Sequence, residues 1–449
     1  MNAWLGLPVA LLMLGCQTLP PRPTPIAAAD TTPREVVIRY EVSYRDGDLD
    51  IEARMQAGLS KEAQLSGPAL GQVESLVYGA EGFSYRIHLR ALCERGDRGL
   101  FRAGEVLFGS ASRWLIRPAQ LPRGRILIHV SAPAPIRFVS GMSAVPGEAD
   151  TYQAPTEAID VLTYSAFGPY ELSTISLGDA RVHLAIPAAA ADPAIVRAWA
   201  ERATQGVAAY FGRFPLPEAA IILLPVDGKR IVFGSALGNG GAAVQVMVGR
   251  DTPPAGFDSD WILTHETIHL GFPNLGDDHR WLEEGLATYL EPIIRARQGI
   301  HTEVELWREL KHGFSQGVLG AQEPGYEESQ SWAHVYWGGA FFFFLADLEI
   351  RSRTENARSL ADALVGIQAD GGDIRTDREV ERMFQVADRA TGVEVLGALY
   401  QALGQNNARA IDLPKLLEDL GVVGEGEALH FNEQAPHAWL RRAILGRPR

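Results

Sequence analysis

Along residues 34 to 187 the chain alternates apolar and polar positions with a period of two. Ile38, Tyr40, Val42 and Tyr44 share one face, while Arg39, Glu41 and Ser43 share the other. That is the pattern of a strand with one buried side. The run Phe83, Tyr85, Ile87, Leu89, Ala91, Cys93 repeats it, as do Ile126 to Val130 and Val182 to Ile186. Turn signals such as Asp46-Gly47-Asp48 separate the runs, so the pattern predicts an all-β domain over 34–187. No His, Cys or carboxylate cluster can be placed within it, and a structural or substrate-shelf role is expected.

The pattern changes after Pro187. Asp192-Pro193 reads as a helix start, with Asp capping and proline at the first helical position, and the helix runs to Tyr210-Phe211-Gly212. Ala219 to Val226 reads as a buried strand, a glycine-rich stretch follows from Gly234 to Gly241, and Val244 to Val248 forms a further strand. Apolar residues from 328 to 350, centred on Phe341 to Phe344, predict a core helix too short in apolar content to cross a membrane. Helical patterns continue through Leu360, Ala361 and Leu364 and again from Val380 to Leu420. The chain therefore divides into the β domain, a mixed domain over 188–350 and a helical C-terminal region over 351–449. This is an α+β multidomain organisation without internal repeats.

Length and composition agree with it. A chain of 449 residues is long enough for two or three domains, and 46% hydrophobic with 21% charged residues suits a substantial core. A formal charge of −14 argues against nucleic acid as a partner, because phosphate contacts need clustered Lys and Arg. The short basic cluster Arg441, Arg442, Arg447, Arg449 reads as a solvated tail.

Two cysteines are present. Cys93 falls on the apolar face of its run and is expected to be a buried free thiol. Residues 3 to 15 are apolar, too short to span a bilayer, and end at Gly15-Cys16. A short apolar segment closing on Gly-Cys resembles a bacterial lipoprotein signal over 1–16, which implies that Cys16 is lipidated and becomes the mature N-terminus. Leu19-Pro20-Pro21-Arg22-Pro23-Thr24-Pro25 forms neither helix nor interior strand, so 17–33 reads as a tether. The expected location is the bacterial cell envelope, periplasm-facing or secreted, with the membrane reached only through a lipid anchor and no transmembrane helix in the mature chain.

The chemistry is concentrated in residues 265 to 288. His265-Glu266-Thr267-Ile268-His269 is an H-E-x-x-H motif, and Trp281-Leu282-Glu283-Glu284-Gly285-Leu286-Ala287-Thr288 follows a short loop. Residues four apart on a helix share a face, so His265 and His269 can address one metal ion. Glu266 lies one position round, where it can reach a water at the metal instead of the metal itself. Asp258-Ser259-Asp260 supplies N-cap candidates for that helix. A third ligand is still required and the second helix offers Glu283 or Glu284; spacing alone leaves both open. Two core histidines with Glu266 turned to solvent would be the bland alternative. Helix, strands with a Gly-rich edge, then two candidate ligand helices resembles the layout expected of a thermolysin-like catalytic domain.

Tyr210-Phe211-Gly212-Arg213-Phe214-Pro215-Leu216-Pro217, the Gly-rich edge, H-E-x-x-H and W-L-x-E-G-x-A-T-Y occur in the order found in gluzincin metallopeptidases. The stretch resembles the aminopeptidase N and glycyl aminopeptidase families over about 205–350. Val335-Tyr336-Trp337-Gly338-Gly339-Ala340 is similar to the segment carrying those enzymes' catalytic tyrosine. The resemblance implies that His265, His269 and Glu284 bind Zn2+. It also implies that Glu266 is the general base for a zinc-activated water, and that Tyr336 stabilises the oxyanion.

Two departures stand out. Fourteen residues lie between His269 and Glu284, fewer than in aminopeptidase N, which shortens a connecting loop without precluding the ligand geometry. Asp277, Asp278 and His279 in that loop read as polar loop residues, one of which could orient a ligand imidazole. Second, Ala236-Leu237-Gly238-Asn239-Gly240-Gly241 resembles the family's A-M-E-N-W-G segment, whose glutamate binds the free α-amine, and Gly238 stands at that glutamate's place. Gly238, Asn239, Gly240 and Gly241 would still offer a flat backbone edge to an extended peptide. The expected function is a zinc metallopeptidase acting on peptides or proteins. The alternatives are a strict aminopeptidase with a rebuilt amine site, or an idle envelope binding protein that keeps zinc as a staple.

Overall fold

The computed structural model describes residues 35–56, 64–188, 192–320, 322–329 and 331–446. The signal-like segment with Cys16, the Pro-rich tether, Arg447 and Arg449 lie outside the described residues.

The alternation in the N-terminal part becomes two packed sheets. Val36–Arg45 is central to a seven-stranded sheet, antiparallel to Asp48–Met55 and parallel to Arg125–Ser131. Ile38, Tyr40, Val42 and Tyr44 are all buried, as a period of two requires. A four-stranded sheet faces it, built from Arg137–Ser140, Tyr164–Gly168, Val106–Ser110 and Phe101–Ala103. Phe138, Phe167, Trp114 and the apolar face of Val36–Arg45 fill the space between them.

One run departs from expectation. The strand beginning at Gly82 stops at Ile87, and Leu89–Arg95 is a helix closed by Gly96 at φ 70°. Positions 89, 91 and 93 satisfy a strand, but 89, 92 and 93 satisfy a helix, and the buried set is Leu89, Leu92 and Cys93. Cys93 is a buried free thiol either way, and burial pushes it up to about 12.

The central sheet has five strands: β1 (Tyr170–Leu177), β2 (Ala180–Pro187), β3 (Glu218–Val226), β4 (Ile231–Leu237) and β5 (Ala243–Gly249). Their order is β1-β2-β3-β5-β4, so β4 is an edge. β2 pairs in parallel with β3, and β3 with β5, while β4 runs antiparallel to β5. β1 and β2, which by sequence close the N-terminal domain, thus belong to the same sheet as β3 to β5. Alternation identifies a strand but not its partner, so the boundary at 187 cuts through this sheet.

Helix α1 (Pro193–Phe211) starts where the Asp192 carboxylate accepts the Ala194 N–H at 2.9 Å. Helices α2 (Ile262–His269), α3 (Arg280–Arg297) and α4 (Glu303–Gly317) follow. The apolar segment expected over 328–350 becomes a π-helical stretch, His334–Gly338, leading into α5 (Gly339–Arg353). α3 and α5 cross with almost no space between backbones: a Cβ on Gly285 would lie 2.3 Å from the Gly339 Cα. Phe341 to Phe344 are fully buried. The helical C-terminal region, including Leu360–Ala369 and Val380–Thr391, shares a continuous core with α3 to α5. Among the described residues no helix is long and apolar enough to cross a membrane.

Candidate active site

Asp260 sets the start of α2. Its carboxylate accepts the N–H groups of Ile262 at 3.2 Å and Leu263 at 3.1 Å, and the Trp199 indole donates to it at 3.0 Å. Of the three N-cap candidates, Asp260 alone makes these bonds. Capped there, α2 carries His265 and His269 on one face, their ring centroids 5.1 Å apart.

α3 brings Glu284 to both imidazoles. Glu284 Oε2 lies 3.2 Å from His265 Nε2 and 3.7 Å from His269 Nε2. One ligand atom from each of the three falls within 4.8 Å of the others. Burial works against the Glu284 charge, but the His265 hydrogen bond and both imidazoles hold its carboxyl down at about 2. Burial pushes His269 down to about 4. Glu283 is committed elsewhere: its Oε1 accepts the Leu275 N–H at 2.6 Å and braces the loop between α2 and α3. Of the two glutamates, Glu284 is the one that faces both imidazoles.

Glu266 turns toward the edge strand and not to bulk solvent. A Cβ on Gly234 of β4 would lie 2.6 Å from the Glu266 Cγ and 2.7 Å from an Ile262 methyl. The glycine makes room for the carboxylate, and the Ala236 N–H of the same strand donates to it. Burial pushes Glu266 up to about 8, the Glu284 charge adds to the rise, and His265 opposes it.

Tyr336, on the π-helical stretch, stacks 6.4 Å from the His265 ring and 5.2 Å from Trp332. Burial raises its phenol. Arg280 donates from Nη2 to the Tyr336 Oη at 3.3 Å, and from Nε and Nη2 to the Glu284 Oε1 at 3.4 Å. Two exposed tryptophans end this row of rings: Trp332 against Tyr336, and Trp261, edge-on to His265 at 5.5 Å.

Solved structures share this arrangement of sheets and helices. An aminopeptidase N family protein from Idiomarina loihiensis superimposes with a TM-score of 0.65 at 14% identity, covering 86% of this chain and 79% of that one. An M1 zinc metallopeptidase mutant from Deinococcus radiodurans, bound to a Tyr-Ser-Ala substrate, gives 0.50 at 16% identity, covering 84% and 95%. The fold is that of the aminopeptidase N family. No protein-family profile matches the sequence, and no curated protein does. The likeness therefore establishes the aminopeptidase N fold, while the chemistry rests on the residues above.

Within that fold the glycine-rich segment differs from the flat edge expected of it. A Cβ on Gly238 would lie 1.9 Å from the Ile374 carbonyl oxygen. One on Gly240 would meet Ala154 and Leu162 at 2.9 Å, and one on Gly241 would sit 2.1 Å from the Gly141 carbonyl. Asn239, at φ 76°, accepts the Thr163 N–H at 3.0 Å. Residues 238–241 thus pack between the N-terminal sheets and a C-terminal loop. Gly238 and Gly241 are glycine because backbones approach closely there, while Gly240 stands at φ 67° against side chains. The edge strand of the central sheet is β4, Ile231–Leu237, and it runs beside Glu266.

His279 pairs with Glu327 and not with His265 or His269, its Nδ1 2.9 Å from both oxygens of Glu327, and Asp277 and Asp278 are exposed. Arg280, Gly234 and Ile374 were not anticipated from sequence. For Arg280 a signal existed, since it precedes Glu284 by one helical turn and shares its face.

Proposed function

We propose that this protein is a zinc-dependent peptidase in which Glu266 serves as general base for attack of water on a peptide bond. The observation that supports it is the convergence of one Glu284 oxygen on both imidazoles while Glu266 is turned the other way, to the edge strand. Two imidazole nitrogens and one carboxylate oxygen form a donor set suited to a catalytic zinc with an open position; a purely structural zinc has four closed ligands. His265, His269 and Glu284 would hold the ion. Bound zinc supplies Lewis-acid activation of the water and of the scissile carbonyl.

The protein's own groups do the rest. An extended peptide pairs its backbone with β4, which sets the scissile bond beside Glu266. The Glu266 carboxylate holds the proton taken from water and passes it to the departing amine nitrogen. The Tyr336 hydroxyl donates to the carbonyl oxygen as negative charge develops there. Gly238 provides no carboxylate for a free α-amine, so cleavage does not depend on a free N-terminus. The Gly15-Cys16 junction and the Pro-rich stretch after it support a lipid-anchored protein of the bacterial envelope.

Metal analysis should find about one zinc per chain, lost in His265→Ala. Glu266→Gln should keep the zinc and lose hydrolysis; equal activity in both forms removes the base. Cys16→Ser should abolish lipid labelling in cells, and an unlabelled wild type would end the anchor assignment.

A further inference from the structure

We infer that Arg280 is a positioning residue that sets the Tyr336 hydroxyl and the Glu284 carboxylate in their working orientations. The inference rests on the peptidase reading for its activity arm only. Glu284 is divided between two tasks: Oε2 faces the Nε2 atoms of His265 and His269, while Oε1 accepts from Arg280 at 3.4 Å. A guanidinium on one oxygen leaves the other to face the imidazoles, which favours a single metal-facing oxygen over a carboxylate free to rotate.

The same guanidinium donates to the Tyr336 Oη at 3.3 Å. Arginine has no acceptor, so this contact uses a phenol lone pair and cannot consume the phenol hydrogen. The O–H must point elsewhere, and the Tyr336 ring lies stacked beside His265. The cation also draws electron density from the phenol oxygen, which makes the hydroxyl a stronger donor to a developing oxyanion. Arg280 reaches both partners from one helical turn before Glu284 on α3, with 43% of its side chain still exposed. It acts on the reacting atoms through Tyr336 and Glu284, without a place among them.

A double-mutant cycle of Arg280→Met and Tyr336→Phe tests this on zinc-saturated protein. Arg280→Met should lower kcat about 10- to 100-fold with KM within about twofold, and Arg280→Lys should recover part of the loss. In the Tyr336→Phe background the same change should cost less than about threefold, because the partner is already gone. A full loss in that background, or an effect confined to KM, overturns the link to Tyr336. Chelator competition supplies a second measurement independent of turnover. Arg280→Met should weaken zinc binding about tenfold or more, and unchanged affinity overturns the hold on Glu284. Should wild-type protein cleave no peptide, the peptidase reading falls while the zinc-affinity arm still judges Arg280.

Discussion

The carbonyl oxygen of Ile374 lies 1.9 Å from where a Cβ on Gly238 would stand. The loop that presents it is braced: the Arg375 guanidinium and backbone N–H both engage Asp373, and the Asn274 N–H donates to the Thr376 carbonyl. Any side chain at 238 must therefore displace backbone. Gly238→Ala should destabilise the protein by about 1–3 kcal/mol, seen as a lower thermal midpoint. Gly238→Glu should be at least as damaging and should not create a preference for free over capped peptide N-termini. A stable Gly238→Glu protein with a new free-amine preference would show that the loop yields and the amine site can be rebuilt.

A second glycine acts on the Glu266 carboxylate, the proposed base. With the Glu266 Cγ 2.6 Å and an Ile262 methyl 2.7 Å from its would-be Cβ, Gly234→Ala must push one of them aside. Ile262 lies in the first turn of α2, held by the Asp260 cap, so Glu266 is the group that moves. The expected outcome is a drop in kcat of about 100-fold with zinc content unchanged, since displacement of about 1 Å costs that much. Wild-type activity in Gly234→Ala would mean Glu266 has slack in this cleft.

Much of the site was legible because it rests on local spacing. His265, Glu266 and His269 follow from one helix, and α2 forms where expected because Asp260 caps it. Spacing left two glutamates open, and tertiary contacts distinguish them: the Leu275 N–H engages Glu283, while Glu284 meets the imidazoles. Glycine was the least legible residue. The sequence 238–241 reads the same whether its glycines open an edge to substrate or admit another backbone, and only tertiary packing distinguishes the two. The same holds for β2, whose alternation says nothing about which sheet it joins.

The neighbouring glutamates can be separated by experiment. Glu284→Ala should lose zinc, because it removes the carboxylate between His265 and His269. Glu283→Ala should keep zinc and instead cost about 2 kcal/mol of stability, the scale of a hydrogen bond to a charged group. Zinc assays and urea unfolding on the two proteins give opposite patterns if the assignment holds. Zinc loss in Glu283→Ala alone would reverse it.

His279 ties the start of α3 to the turn Tyr326–Glu328 through Glu327, which also accepts the Trp281 indole N–H at 3.2 Å. The Glu327 hydrogen bond raises the His279 imidazole above its ordinary value, with burial in partial opposition. A group whose folded pKa exceeds the unfolded one stabilises fully below the unfolded value, about 6.5 for His. That contribution is lost as pH rises through the folded value. Wild type should therefore exceed His279→Gln by about 1 kcal/mol or less near pH 6, and the gap should shrink by pH 9. Glutamine keeps a donor for Glu327, so the part of the gap that varies with pH reports the charge. Urea midpoints for both proteins at the two pH values measure it. A gap that is the same at both would mean His279 works as a neutral hydrogen-bond donor, and that the start of α3 is held without an ion pair.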